Sequence, residues 1–241
     1  MVITKDIKMA DVIHKNHHLL SIINRFGIPL GFGDKTVEEC CTDKNIEVDF
    51  FLDIINSYLD DHYFPKKHLA GFSSSQILNY LTKTHEFYLN EKIPLIENLI
   101  NQLVKTSQAA NDQLILIQAF FRKYKEELIE HTKKEEEEVY PYILEVENLY
   151  NIKKENTNLP ESIQKYSIQF FADEHDNMEE KLFDLKNILI KYLPQQDDQI
   201  LLRSIITELF ELEKDLADHS KIEDKVLIPK IAEMEKIIRR V

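Results

Sequence analysis

The sequence predicts an all-α protein, in which an up-down-up-down four-helix bundle follows a small helical N-terminal domain. All four glycines lie before residue 72, so the rest of the chain lacks a common turn-forming residue. That part instead contains long stretches with apolar side chains at helical spacing, joined by short polar segments. Four long helices with short connections are the plan of an up-down-up-down bundle.

The boundary between the two predicted domains lies where the apolar pattern stops, between residues 62 and 72. Ser73 and Gln76 then form a helix-start signal, because a serine can cap the backbone of the residue three positions later. We therefore assign residues 1–66 to the N-terminal domain and residues 73–241 to the bundle.

The N-terminal domain is predicted to contain three helices. They are a helix near residues 9–26, a short helix capped by Thr36 with Glu39, and a helix over about 48–61, with a glycine-containing turn at 27–33. A unit of this size buries little core alone. We expect it either to pack on the bundle or to pair with another copy of itself in a homodimer.

The bundle is predicted to consist of four helical segments, at approximately 73–106, 111–150, 161–193 and 197–239. Each has about 30 residues or more and is therefore roughly 45 Å long at 1.5 Å per residue. Helices of this length leave space for a site between them.

Composition and charge narrow the function classes. A formal charge of −13 and a pI near 5.2 disfavour binding to nucleic acids and membrane surfaces. The first residues mix charged with apolar side chains, unlike a signal peptide, and no stretch is apolar enough to span a bilayer. Cys40 and Cys41 are adjacent, where a mutual disulfide would be strained, and we interpret them as ordinary thiols on a short helix, with a redox or metal role as the alternative. We expect a cytoplasmic protein.

Each predicted bundle helix places a histidine in its inner apolar row, and two rows also contain a glutamate. The six candidate metal ligands are His85, His131, Glu135, His175, His219 and Glu223. One such histidine alone is more often a hydrogen-bonded core residue. A buried ionised glutamate, however, costs several kcal/mol without a cation, so the set together favours a metal site.

Spacing supports this interpretation independently. Glu135 follows His131 by four residues, as Glu223 follows His219, so each pair lies on one helical face. A proline also follows each glutamate by six residues, which makes the two segments an internal repeat. Each proline should bend its helix just beyond the ligands.

The mixture of donors bears on which metal would bind. Four neutral imidazoles and two carboxylates suit two intermediate cations such as iron, with the glutamates bridging them. Calcium and magnesium need more oxygen ligands. Zinc is compatible with these ligand types, although closed zinc sites use four ligands and favour cysteine. With six protein ligands for two metals, positions would stay open for oxygen, nitric oxide or water.

Other polar residues near these rows are assigned lesser roles. Residues 136–138 continue a run of glutamates and are interpreted as a solvated face. Glu179 lies four residues after His175 and is kept as an alternative ligand or a partner of one. The remaining histidines are interpreted as structural or surface residues: His14, His17, His18, His62 and His68.

At these residues the sequence resembles the hemerythrin-like superfamily, and specifically the iron–sulfur cluster repair di-iron proteins, which join a small N-terminal domain to a hemerythrin-like bundle. The resemblance rests on His131-Thr-Lys-Lys-Glu135-Glu136 running to Tyr140-Pro141, on His219-Ser-Lys-Ile-Glu223 running to Ile228-Pro229, and on His85 and His175 at suitable intervals. It covers nearly the whole chain.

The resemblance implies a bridged centre of two iron ions, with the four histidines as terminal ligands and the two glutamates as bridges. It also implies a role in nitrosative and oxidative stress and in restoring damaged iron–sulfur clusters, with iron–sulfur proteins as partners. The family usually has a Cys-Cys pair in the turn before the short N-terminal helix. This chain has Leu30-Gly31-Phe32-Gly33 there, and Cys40-Cys41 lies after the turn, so that pair's role does not transfer.

Three function classes follow. The leading one is a di-iron stress-response protein that supports iron–sulfur repair. The second is a protein that reversibly binds or senses oxygen or nitric oxide at the same centre. The third is a helical interaction module whose core histidines bond to the two glutamates without metal.

Overall fold

The computed structural model describes residues 2–60, 62–106, 112–152, 159–174, 178–193 and 198–239. Within these ranges the regular elements are helices, and the extended pairing is limited to an isolated bridge between Lys8 and Thr36. The predicted all-α class is confirmed. None of the helices in these ranges has both the length and the apolar character needed to cross a membrane.

The N-terminal helices are α1 (Met9–Lys15), α2 (Leu19–Arg25), α3 (Val37–Asp43), α4 (Val48–Leu59) and α5 (Lys66–Leu69). The prediction of a single helix over residues 9–26 is wrong, because α1 ends before Asn16. The Asn16 side chain accepts a hydrogen bond from the backbone N–H of His18 at 3.0 Å. Such a local bond competes with continuation of the helix.

Both predicted helix-start signals are confirmed. Thr36 and Glu39 form a reciprocal capping box at the start of α3. The Ser73 hydroxyl accepts a hydrogen bond from the backbone N–H of Gln76, so the first bundle segment begins at Ser74. Both caps involve residues three positions apart, so they could be recognised in the sequence without knowledge of the tertiary structure.

The bundle contains α6 (Ser74–Phe87) and α7 (Ile93–Thr106), then α8 (Asp112–Lys134) and α9 (Tyr140–Ile152), then α10 (Glu161–Lys165), α11 (Ile168–Glu174) and α12 (Met178–Asn187), and finally α13 (Gln199–Ile222) and α14 (Ile228–Ile238). Except in the third segment, the breaks between these α-helices are single π-helical turns and not loops. Turns of this type lie at Tyr88–Lys92, Glu135–Val139, Ile188–Tyr192 and Glu223–Leu227.

In the sequence a proline follows each of these four π turns by two positions, at Pro94, Pro141, Pro194 and Pro229. The residue before each proline donates to the carbonyl five positions back. Proline has no N–H, and its ring clashes with the carbonyl four residues earlier, so the helix widens by one residue there. The predicted effect of the prolines thus takes the form of a wider turn. Glu135 and Glu223 are the first residues of two such turns.

The third segment is interrupted at Tyr166 and Ser167, where one helix was predicted. α11 starts again on a buried carboxylate: Glu235 accepts hydrogen bonds from the Ile168 backbone N–H (2.8 Å), the Ser167 hydroxyl (2.8 Å) and the Tyr142 hydroxyl (2.5 Å). These donors satisfy a carboxylate that is only 5% exposed. Glu235 therefore caps the start of α11 and links the third segment to the fourth.

In the part of the bundle formed by α7, α8, α12 and α13, the segments pack in the order in which they follow one another, because α7 and α12 each pack against both α8 and α13. These are the neighbours expected in a four-helix bundle. Beyond the ligands, α9 packs against α14, which is a contact between the second and fourth segments. The predicted up-down-up-down order itself stays a prediction.

The N-terminal helices pack on the bundle, which is the first of the two arrangements expected from the sequence. The Phe26 ring stacks on Tyr80 of α6 with ring centroids 5.1 Å apart. One apolar core, hereafter the proximal core, contains residues from both parts, such as Phe51, Leu81 and Ile231. The predicted domain boundary therefore crosses a continuous core, and the division into two domains stays a prediction, as does a homodimer.

A second apolar core, the distal core, fills the other end of the bundle and includes Tyr88, Leu128 and Leu216. In α6, α8 and α13 the change from one core to the other occurs at the predicted metal ligands. Along α13, for example, Leu216 belongs to the distal core and Ile222 to the proximal core. A polar layer thus separates the two cores.

Candidate metal centre

The polar layer contains five of the six predicted ligands. His85 is in the last turn of α6, His131 is in α8, and His219 is in α13. Glu135 and Glu223 begin the π turns that follow α8 and α13. The sixth predicted ligand, His175, lies outside the described residues.

His85, Glu135 and His219 converge on one point. The Nε2 atoms of His85 and His219 lie 3.1 Å apart, and Glu135 Oε2 lies 3.3 Å from His85 Nε2. One ligand atom from each residue lies within 4.8 Å of the other two. The three residues are 2%, 1% and 3% exposed, respectively. Such a buried group of imidazole and carboxylate donors could hold a metal ion.

His131 and Glu223 extend the group on either side. His131 Nε2 lies 3.1 Å from Glu135 Oε1, and Glu223 Oε1 lies 3.5 Å from His219 Nε2. Glu223 is 1% exposed, whereas the His131 side chain is 18% exposed. The four-residue spacing that predicted each pair therefore places its two side chains in contact.

Glu136 contacts the site from outside, which the sequence interpretation missed. Its Oε1 lies 2.8 Å from His85 Nδ1, although 39% of the side chain is exposed. A histidine that donates through Nδ1 to a carboxylate presents the lone pair of Nε2 to a metal. Glu136 is thus a partner of His85, a contact made from the exposed face on which the sequence interpretation placed it.

Glu136→Ala is expected to weaken Fe(II) binding by about ten- to a hundredfold, because His85 loses the partner that fixes its orientation. The affinity can be measured by competition with a chromophoric chelator. Glu137→Ala is the matched control, since Glu137 is the next residue and its side chain is 66% exposed. Equal affinities in the two variants would contradict the role assigned to Glu136.

Tyr140 closes the site on the side of the proximal core. Its hydroxyl donates to Glu223 Oε1 at 3.2 Å, and its ring stacks on His85 with centroids 5.9 Å apart. Burial, together with the Glu223 carboxylate, raises the pKa of Tyr140 well above its ordinary value. Tyr140 therefore stays a neutral hydrogen-bond donor that orients Glu223.

The charges in the layer favour a cation. Burial alone would lower the pKa of His85, but hydrogen bonds to Glu135 and Glu136 outweigh it and raise the pKa to about 9. Without a metal, His85 is thus protonated at neutral pH. A metal ion that binds through Nε2 must displace this proton, so binding is favoured by higher pH.

The donor set fits a metal by a second observation. The Nε2 atoms of His85 and His219 face each other at 3.1 Å, and each also lies within 3.5 Å of a buried glutamate carboxylate. Two ring nitrogens and two carboxylates directed at one another are an arrangement that a shared cation would satisfy. A cavity of about 10 Å³, roughly the space of one water molecule, lies beside His85, His131 and His219.

Glu179 lies next to the site. It accepts a hydrogen bond at 2.8 Å from Ser220, the residue after His219. Ser220 is not one of the predicted ligands, so the role of Glu179 as an alternative ligand or a partner of one stays a prediction. The five other histidines lie on the surface, as interpreted from the sequence.

The two cysteines of α3 are buried, with Cys40 3% and Cys41 0% exposed. Burial raises the pKa of both thiols, that of Cys41 to about 12. Thiolates, not thiols, are the nucleophiles and metal ligands, so both residues should be unreactive at neutral pH. Their position supports the interpretation as ordinary thiols.

We therefore expect slow labelling of Cys40 and Cys41 by an aromatic disulfide reagent at pH 8 in the native protein. Unfolding in guanidinium should release both thiols rapidly, because it removes the burial that raises the pKa values. The measurement is the absorbance of the released reagent thiolate. Rapid reaction in the native state would show that the N-terminal thiols are available for chemistry.

No family model matches the chain. The iron–sulfur cluster repair protein ScdA of Staphylococcus haemolyticus is 20% identical over 232 residues, which cover 96% of this chain and 100% of that protein. The ScdA proteins of two strains of Staphylococcus epidermidis are 18% identical over 233 residues, with the same coverage. The resemblance expected from the sequence is thereby confirmed at the level of the family, and it spans the N-terminal helices as well as the bundle.

Proposed function

Because the chain resembles iron–sulfur cluster repair proteins along almost its whole length, we propose that it is a non-haem di-iron protein that supports repair of damaged iron–sulfur clusters. The observation that carries the proposal is the convergence of His85, Glu135 and His219 in a buried polar layer. A family-level resemblance alone would not supply the chemistry. The cluster supplies two imidazoles and a carboxylate, which are donors suited to iron.

Two iron ions would be held by His85, His131, Glu135, His219, Glu223 and, from the sequence pattern, His175. When bound, they would supply a redox-active centre with positions open to a small ligand. The described contacts support this assignment, because each glutamate lies within 3.5 Å of at least one of the histidines. Zinc would occupy fewer of these donors.

The surrounding residues would prepare the site for such ions. Glu136 orients His85, and Tyr140 donates to Glu223, so both ligands are held before metal binds. The proximal and distal cores exclude water on both sides. We place the activity in the cytoplasm during nitrosative or oxidative stress, with iron–sulfur proteins as the partners. Two buried free thiols accord with a reducing compartment.

A second candidate function is reversible binding or sensing of oxygen or nitric oxide. The small cavity beside His85, His131 and His219 favours it, because it lies next to the donors and could widen to admit a small ligand. A stable, reversible oxygen adduct of the iron-loaded protein would support this function over repair.

The first experiment is the metal content of protein purified from iron-replete cells, together with its visible spectrum. We expect about two irons per chain and the absorption of a bridged di-iron centre. The loaded protein should then speed the recovery of an iron–sulfur hydratase inactivated by nitric oxide, and metal-free protein should not. Little bound iron after anaerobic reconstitution would refute the metal assignment, and equal recovery with loaded and metal-free protein would refute the repair function.

A further inference from the structure

An arginine of the N-terminal part is buried against the bundle. Arg25, the last residue of α2, has a side chain that is 1% exposed. Its guanidinium forms a two-pronged ion pair with Asp215 of α13, with Nη1 2.9 Å from Oδ1, and it lies over the Phe87 ring at 4.4 Å. Burying an arginine costs several kcal/mol unless it is paired, so this contact fixes how the two parts meet.

Tyrosine hydroxyls complete the cluster. Tyr58 of α4 and Tyr88 of the first π turn both donate to Asp215 Oδ1, at 3.1 and 3.2 Å. Tyr80 donates to the Tyr58 hydroxyl at 3.2 Å. We call Arg25, Asp215 and these three tyrosines the anchor cluster. It joins α2 and α4 of the N-terminal part to the first and fourth segments of the bundle.

The anchor cluster adjoins the candidate metal centre directly. Asp215 lies one helical turn before His219 on α13, and Tyr88 follows His85 by three residues. The Tyr88 ring also meets the His219 ring edge-on, with centroids 6.0 Å apart. Arg25 therefore acts, through Asp215 and Tyr88, on the two helices whose imidazoles converge.

We propose that Arg25 is a positioning residue for the metal centre: docking of the N-terminal helices through the anchor cluster holds His219 and His85 at the spacing that binds iron. The proposal rests on the proposed di-iron function. In this proposal the N-terminal part sets the metal affinity. That role does not require the cysteine pair that this chain lacks in its glycine-containing turn.

The charges of the anchor cluster are suited to holding side chains in fixed positions. Burial would raise the pKa of Asp215, but the Arg25 guanidinium and the tyrosine hydroxyls outweigh it, so the pKa is lowered. A carboxylate that is held ionised accepts strong hydrogen bonds and is a poor proton acceptor. The cluster is thus built to hold side chains in place and not to relay protons to the site.

The test compares variants in which docking is loosened with one in which only the N-terminal core is weakened. Arg25→Met/Asp215→Asn removes both charges and leaves an oxygen to accept from Tyr58 and Tyr88. Val37→Ala is the control, because Val37 is fully buried in α3 and lies outside the anchor cluster. Denaturant unfolding of the metal-free proteins establishes how far each variant is destabilised.

Two readouts follow. Chelator competition gives the Fe(II) dissociation constant, which we expect to be about ten- to a hundredfold higher in Arg25→Met/Asp215→Asn and nearly unchanged in Val37→Ala. Amide hydrogen exchange of the metal-free proteins should be faster at residues 216–222 in the double variant alone. Tyr88→Phe, which removes a single hydroxyl, should change both readouts in the same direction by less.

Iron affinity that follows global stability equally in the double variant and the control would overturn the proposal. So would wild-type affinity and wild-type exchange in both the double variant and Tyr88→Phe. Absence of iron binding by the wild-type protein would refute the proposed function, and the exchange of the metal-free proteins would then decide alone whether the N-terminal part positions His219.

Discussion

Replacing His219 with alanine should remove most of the bound iron and nearly all of the stabilisation that iron provides. His219 is 3% exposed and contacts both His85 and Glu223, so its loss opens the middle of the donor set. At free iron a thousand times the dissociation constant, the wild-type protein should gain about 4 kcal/mol in free energy of unfolding for each iron bound. Denaturant titration with and without iron measures this gain.

His14→Ala is the control for that experiment, because it removes an imidazole that is exposed on α1. It should retain the iron content and the gain in stability of the wild-type protein. Unchanged iron stoichiometry in both His219→Ala and the corresponding His131→Ala variant would contradict the ligand assignment. The proposed centre would then have to be abandoned in favour of a helical module without metal.

Arg25→Met should destabilise the metal-free protein by about 3–5 kcal/mol, because the largely buried Asp215 carboxylate then has no cationic partner. The Arg25 side chain is 1% exposed and that of Asp215 is 14% exposed, so solvent screens neither group well. Equilibrium unfolding in urea gives the change in free energy.

Addition of Asp215→Asn to Arg25→Met should recover most of this loss, since the uncompensated charge disappears while an acceptor for Tyr58 and Tyr88 remains. The double-mutant cycle separates the energy of the pair from the penalty of an unpaired ion. Additive effects of the two single substitutions would mean that Arg25 and Asp215 are not coupled.

Much of the helical architecture could be predicted because its signals are local. Apolar periodicity located the four long segments, and Ser73 and Thr36 marked two helix starts through side-chain caps. The break between α1 and α2 was missed because the competing signal is a single asparagine side chain. The break before α11 depends on Glu235, a residue far along the chain, so no local pattern could reveal it.

The central residues of the candidate site could also be predicted. A glutamate in the inner row of a bundle helix is costly to bury without a cation, so its presence beside a histidine indicates a metal site. Glu136 was missed for a geometric reason. It follows Glu135 directly, which on an ideal helix turns it away from the inner row, yet it lies in the wider π turn that Glu135 begins and reaches His85. The anchor cluster could not be predicted from the sequence, because Arg25 and Asp215 are 190 positions apart.

The polar layer between the proximal and distal cores affects the cooperativity of unfolding. Apolar packing is what makes a folded chain unfold as one unit, and here it is interrupted where the ligands lie. Without metal, polar contacts, among them those of the anchor cluster, join the distal half of the bundle to the half that includes the N-terminal helices. An ion bound by α6, α8 and α13 would add a further link between the two halves, so metal would raise the cooperativity of unfolding as well as the stability.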